Sequence, residues 1–248
     1  MNPCCMTLSG ETNRGRVRPG NEDNFCLAGE LDAPARLAVV ADGLGGHGGG
    51  AQASFVCCRS FQQSWRERGD RIDGPRAAER FLRHALIAAN AAVHAFNRGR
   101  CGRPMGCTVA AAVFLPEWVA VANAGDSRVY SYDREEGLRQ LSEDHTLVED
   151  LRRSGESFEG PDRFESIITC AVGVRSRLKY TCRSFPRRPG ERFLLCSDGV
   201  YRCCSEAFLG TALNEAADAH AAVCAIMRRA FIAGAPDNVT VVAGLPEA

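Results

Sequence analysis

Residues 37–46 read LAVVADGLGG and residues 192–200 read RFLLCSDGV, so two aspartates, Asp42 and Asp198, each follow an apolar run and precede a glycine. Runs such as Leu37–Ala41 or Phe193–Cys196 read as strands buried on both faces. A carboxylate at the end of such a strand stands at the rim of the core. The glycine after it lets the chain turn sharply and lets its carbonyl approach a ligand. Two such rims in one small protein point to carboxylates converging on something cationic. Glu22 and Asp23 in PGNEDNF, Asp126 in NAGDSRVY and Asp237 in APDNVTVV extend the same scheme. Unneutralised, these acids repel and raise one another's pKa, and divalent metal resolves the conflict.

The chain has 248 residues, 30 basic and 30 acidic, for a formal net charge of zero. It fits one large domain with a full core, spanning residues 1–248 with no linker-like stretch. A neutral balance gives no ground for a nucleic-acid partner or a polybasic membrane patch. No apolar run approaches the roughly 20 residues that cross a bilayer, and the N-terminus carries no secretory pattern. The thirteen cysteines form an odd, irregular set without a CxxC pair, which suits neither zinc nor a disulfide framework. Cys107, Cys170, Cys196 and Cys224 lie in apolar runs, where a free thiol serves as a small hydrophobe. A reducing cytoplasm is the expected setting.

Outward from the two rims, strands are predicted at 24–29, 36–41, 107–115, 118–124, 127–132, 138–141, 179–185, 192–196 and 238–243. Helices are predicted at about 50–66, 75–97 and 145–153, with one or two more in 205–233. Phe55, Cys58 and Phe61 mark the inner stripe of the first helix; Phe81, Leu82, Ala85, Leu86, Ala89, Val93 and Phe96 mark that of the second. Ala222, Val223, Ile226 and Phe231 face inward from the last. The polar stretch 154–165 reads as a flap. Helices in pairs between strand-rich blocks favour an α+β layered arrangement.

Carboxylate, carbonyl and water oxygens are what hard divalent ions prefer. Asp42, Asp198, Asp237 and the Glu22–Asp23 pair supply the first, and the Gly43 carbonyl the second. Two ions bridged by one carboxylate lower the pKa of a shared water and clamp an in-line displacement at phosphorus. The planar fork of Arg18 suits a phosphate dianion. The chemistry expected is metal-assisted hydrolysis without a protein nucleophile.

The ordered series RPGNED, VVADGLGGHGGG, GCTVAAAVF, VANAGDSRVY, LSEDHTLVEDL, IITCAVG, LLCSDGV and PDNVTVV resembles the metal-dependent protein phosphatases of type 2C in their short bacterial form. The series runs from about residue 14 to 242. The resemblance implies a four-layer α-β-β-α sandwich, two antiparallel sheets flanked by helix pairs, with two Mn²⁺ or Mg²⁺ ions in a cleft at one end. It implies hydrolysis of phosphoserine and phosphothreonine on proteins by a cytoplasmic monomer that opposes a serine/threonine kinase. Carried over by motif, Asp42 bridges both ions, the Gly43 carbonyl binds the second, and Asp198 and Asp237 hold the first. Glu22 or Asp23 acts through coordinated water, Arg18 clamps the phosphate, and Asp126 with Asp198 holds a third, weaker ion.

Two departures stand out. Leu44 occupies the position where animal members of the family carry a histidine as general acid, leaving a water in that role. The family's ITRALG appears as ITCAVG, with Cys170 in place of an arginine. Three other readings fit the residues less well. Gly43, Gly45 and Gly48 fit a dinucleotide fingerprint, but Asp42 would repel the pyrophosphate. Cys196 and Arg202 fit the CxxGxxR signature of cysteine-dependent phosphatases, but Asp198 would disfavour both thiolate and phosphate. A phosphoprotein-binding pseudophosphatase would have lost metal ligands, and every matched acid is present. His47 reads as a structural loop residue.

Overall fold

A computed structural model describes residues 6–30, 33–45, 49–98, 104–155 and 167–247. The alternation of buried side chains explains how the elements stack. In β3 (Arg36–Ala41) and β6 (Val109–Phe114), Leu37, Val39, Val109, Ala111 and Val113 belong to one buried cluster, while Ala38, Val40, Ala110, Ala112 and Phe114 belong to another. Side chains alternate across a strand, so these strands are covered on both faces. With β2 (Asn24–Ala28), β7 (Trp118–Ala124) and β10 (Thr181–Pro186) they form an antiparallel sheet of order β10-β7-β6-β3-β2. Its outer face is covered by α1 (Gly49–Arg68) and α2 (Pro75–Asn97).

The second sheet repeats the logic. It runs β1-β12-β11-β8-β9, from β1 (Met6–Asn13), β8 (Arg128–Asp133), β9 (Gly137–Gln140), β11 (Arg192–Cys196) and β12 (Val239–Pro246). Phe193, Leu195 and Val242 face the first sheet, against Phe114 and Val40. Leu194, Cys196, Val239, Val241 and Ala243 face α5 (Glu206–Glu215) and α6 (Ala219–Ile232). The layers are therefore helix pair, sheet, sheet, helix pair, as the resemblance implies.

Short elements serve the rim. β4 (Gly43–Leu44) pairs with β5 (Gly106–Cys107), α3 (Leu147–Ser154) starts at the cap Thr146, and α4 (Asp198–Tyr201) is one turn. Among the described residues no helix is long and apolar enough to cross a membrane.

Several sequence expectations need correction. Residues 6–13 form a strand that no expectation covered, paired to β12 along its whole length. The last strand runs to Pro246, three residues past the predicted end. Phe55 and Phe96 point outward, at 56% and 47% exposure. In α1 the face toward the sheet is Gly50, Ala53, Ser54, Cys57, Cys58 and Phe61, mostly small residues that let the helix lie close to the strands. Cys224 is exposed, whereas Cys107, Cys170 and Cys196 are buried as small hydrophobes. The flap region from residue 156 on, and His47, lie outside the described residues.

Candidate active site

Strand ends from both sheets meet at one edge of the sandwich, around a cleft of about 570 Å³. Arg18, Glu22, Asp42, Gly43, Asp126, Asp198 and Asp237 all line it. Six of these seven are thus the acids and the carbonyl expected to face a cation. Asp23, the eighth expected residue, does not line the cleft. It is buried, and its Oδ2 accepts from Ser197 Oγ and Thr240 Oγ1, each at 2.7 Å. The Glu22–Asp23 pair is thereby split: Glu22 faces the cleft, and Asp23 supports it from behind.

The placement of each acid has a local cause. Asp42 leaves β3 where its N–H donates to Thr108 Oγ1 at 3.1 Å and its carbonyl accepts from the Thr108 N–H at 2.8 Å. Gly43 allows no side chain, because a Cβ there would stand 2.4 Å from the Gly50 carbonyl and 2.5 Å from the Glu22 carbonyl. Asp126 follows Gly125, whose φ of +102° favours glycine and whose N–H donates to His145 Nδ1 at 3.2 Å. Arg128, two residues on, is held by Asp144 through Nε and Nη2 at 3.0 and 2.7 Å. Asn238 anchors the loop before Glu22: its Nδ2 donates to the Arg14 and Gly20 carbonyls, and its Oδ1 accepts from the Glu22 N–H, all at 2.9 Å.

Burial and neighbouring charge both act on these acids. Burial first, then the charges of Asp23, Asp198, Asp126 and Asp237, hold the Asp42 carboxyl well above the usual carboxylate range. Burial pushes Asp23 up to about 6, against the opposing pull of its two hydroxyl donors. Asp126 rises to about 6 through burial and the charges of Asp198 and Asp144. Asp198 is raised by burial, with Arg202 pulling the other way.

Two arginines partly compensate. Arg18 Nη2 lies 2.7 Å from Asp237 Oδ2, and Arg202 Nε lies 2.9 Å from Asp198 Oδ2. Among the described residues no three His, Cys, Asp or Glu side chains already close around a single ion-sized point. The donor set nonetheless fits a hard divalent ion. It is all oxygen, and both Asp23 Oδ1 and Asp126 Oδ1 are buried without a hydrogen-bond partner. Mutual repulsion among Asp42, Asp198 and Asp126 is the strain that a cation relieves.

The cysteine alternative fails on placement. Cys196 is fully buried on the face of β11 that packs against Tyr130, Val200 and Leu209, and burial raises its thiol far above its ordinary pKa. Arg202, its supposed phosphate clamp, is bound to Asp198 instead. A thiol in the core cannot reach a phosphoprotein.

Sequence reasoning missed the partners that hold the acids: Thr108, Ser197, Tyr201, Asn238 and Thr240. Ser197 and Asn238 adjoin Asp198 and Asp237, which is a signal of position. Thr108, Tyr201 and Thr240 carry none that distinguishes them from ordinary strand and helix residues.

The protein phosphatase 2C family profile matches residues 16–233. The serine/threonine phosphatase stp of Listeria monocytogenes is 31% identical over 242 residues, covering 95% of this chain and 94% of that one. The crystal structure of the Mycobacterium tuberculosis serine/threonine phosphatase PstP/Ppp superposes with a TM-score of 0.83 at 30% identity, covering 98% of this chain and 99% of that one. The catalytic domain of a phosphatase PstP, solved in complex with two manganese ions, gives 0.81 at 29% identity, over 97% of each chain. With its layers, its acidic cleft and a profile match over most of its length, this chain belongs to the protein phosphatase 2C family.

Proposed function

We propose that the cleft hydrolyses phosphoserine and phosphothreonine on proteins, with Asp42, Asp198, Asp237 and the Gly43 carbonyl holding two divalent ions. The observation that carries this reading is the convergence of Glu22, Asp42, Asp126, Asp198 and Asp237 on one cleft, where burial and then the neighbouring acids raise the pKa of Asp42 and Asp126. The ions, Mn²⁺ or Mg²⁺, supply the charge that offsets the phosphoryl oxygens and lowers the pKa of water.

The chain's own residues do the rest. Arg18, more than half exposed at the cleft mouth, swings between Asp237 and a phosphoryl group, which its fork grips in bidentate fashion. Glu22, at the cleft wall, accepts a hydrogen bond from water and orients it. Asp23, fixed by Ser197 and Thr240, holds Asp42 in register from behind. Leu44 lines the cleft without a proton to give, so the leaving alkoxide takes its proton from water. Residues 1–248 act as one phosphatase domain, a monomer of the cytoplasm that opposes a serine/threonine kinase.

The test is hydrolysis of a phosphothreonine peptide by protein stripped with EDTA and then resupplied with Mn²⁺, with Cys196→Ser alongside. Activity should vanish on stripping, return with Mn²⁺ and survive the substitution. Activity that ignores EDTA but disappears with Cys196 would overturn the reading. Intact metal uptake with no turnover would point to a phosphoprotein-binding protein instead.

A further inference from the structure

The two flanks of the cleft are neutralised differently. On one, Arg18 reaches Asp237 from a loop with its side chain 55% exposed, free to exchange that contact for another. On the other, Asp198 opens the single turn of α4, so residue 202 falls four positions later on the same face. Arg202 is that residue. Its backbone N–H donates to the Asp198 carbonyl at 3.0 Å, and its Nε stands 2.9 Å from Asp198 Oδ2. This guanidinium is carried by the same turn as the acid it binds.

Its side chain is 46% exposed, and what ties it to Asp198 is the turn the two share. Tyr201 stands between the flank and a second cavity of about 390 Å³, which Arg128, Tyr201 and Arg202 help to line. The Tyr201 hydroxyl donates to Asp126 Oδ2 at 3.4 Å, and its ring carries the Arg128 guanidinium 3.8 Å from its centroid. Arg128 is fixed in turn on Asp144. The charge of Arg128 is met by Asp144, so the positive charge that backs Asp126 and Asp198 is that of Arg202, in direct contact with a carboxylate oxygen that a bridging ion would need. A divalent ion between them would have to displace Arg202 and then sit beside its charge.

We propose that Arg202 takes the place of a third divalent ion: this chain binds two ions, and its Asp126–Asp198 flank is neutralised by its own guanidinium. The proposal rests on the two-ion reading of the cleft. It reverses the expectation of a third, weaker ion at Asp126.

Calorimetric titration of the EDTA-stripped full chain with Mn²⁺ tests it by counting ions. The wild type and Arg202→Lys should take up two. Arg202→Ala should take up a third, about tenfold or more tighter than any further uptake by the wild type, as expected when a unit charge leaves a site within a few ångströms. Adding Asp126→Asn to Arg202→Ala should remove that third ion. Three ions in the wild type, or two in an Arg202→Ala protein with native circular dichroism, would overturn the proposal. Should Arg202→Ala fail to fold, the counts for the wild type and Arg202→Lys decide: two in both supports the proposal, and three in either overturns it. A wild type that takes up no Mn²⁺ would instead overturn the two-ion reading, and the proposal with it.

Discussion

Asp126→Asn should stabilise the metal-free protein, although it removes a residue expected at the working cleft. Asp126 is 2% exposed, and its Oδ1 has no hydrogen-bond partner. Burial, then Asp198 and Asp144, raise its pKa from 3.8 to about 6. At 1.36 kcal/mol per pKa unit, the ionised form costs the folded state roughly 3 kcal/mol. The sign follows from linkage. The folded protein binds this proton more tightly than the unfolded chain, so stability falls as pH rises from about 4 to 6 and stays low above. Asparagine keeps the shape and removes the charge. Urea denaturation in EDTA should therefore show Asp126→Asn more stable than wild type by about 2–3 kcal/mol at pH 7.5, with the gap closing below about pH 4. A variant of equal or lower stability at pH 7.5, or a gap unchanged between pH 4 and 7.5, would refute the reasoning.

Other substitutions probe the site separately. Asp42→Asn should lower turnover of a phosphothreonine peptide by about a hundredfold or more while the circular dichroism stays native, since it removes a carboxylate expected to hold the ions whose charge offsets the phosphoryl oxygens; near-normal turnover would remove Asp42 from the metal set. Thr240→Val deletes one of the two hydroxyl donors to Asp23. It should weaken Mn²⁺ affinity by about tenfold to a hundredfold, the usual cost of losing a partner that orients ligands, and an unchanged titration would contradict the supporting role of Asp23. Gly43→Ala puts a Cβ 2.4 Å from the Gly50 backbone. The resulting overpacking should cost about 3 kcal/mol, near 10 °C in melting temperature for a chain of this size, and a native-like melt would mean that β4 can shift.

The strands covered on both faces were legible because nothing but apolar residues fills such a position: Leu37–Ala41, Val109–Phe114 and Phe193–Cys196 could be little else. Met6–Asn13 was not. It is an edge strand of mixed polarity, mostly half-buried, and only its pairing with β12 makes it a strand. β4 and β5, two residues each, exist only as a register between distant segments. The stripe of α1 misled for a related reason. Helical spacing ranked Phe55 as an inner residue, but the helix lies close to the sheet on glycine, alanine, serine and cysteine, and Phe55 is turned outward.

In the site, the aspartates were visible because each stands beside an apolar strand and a glycine or asparagine. Their hydroxyl partners were not, since Thr108 and Thr240 acquire their roles only when β6 and β12 bring them to the acids. The choice between Glu22 and Asp23 needed the structure too. Adjacent residues leave a strand start in opposite directions, and which one meets the cleft depends on how Asn238 fastens the loop.

Anomalous diffraction from crystals soaked in Mn²⁺ would show whether the acids of this cleft hold divalent metal. Strong manganese peaks should stand against the carboxylates of Asp42, Asp198 and Asp237, with Arg18 drawn off Asp237. A protein that requires Mn²⁺ for turnover yet shows its manganese bound elsewhere, with this cleft empty of it, would mean that these acids are not the metal site.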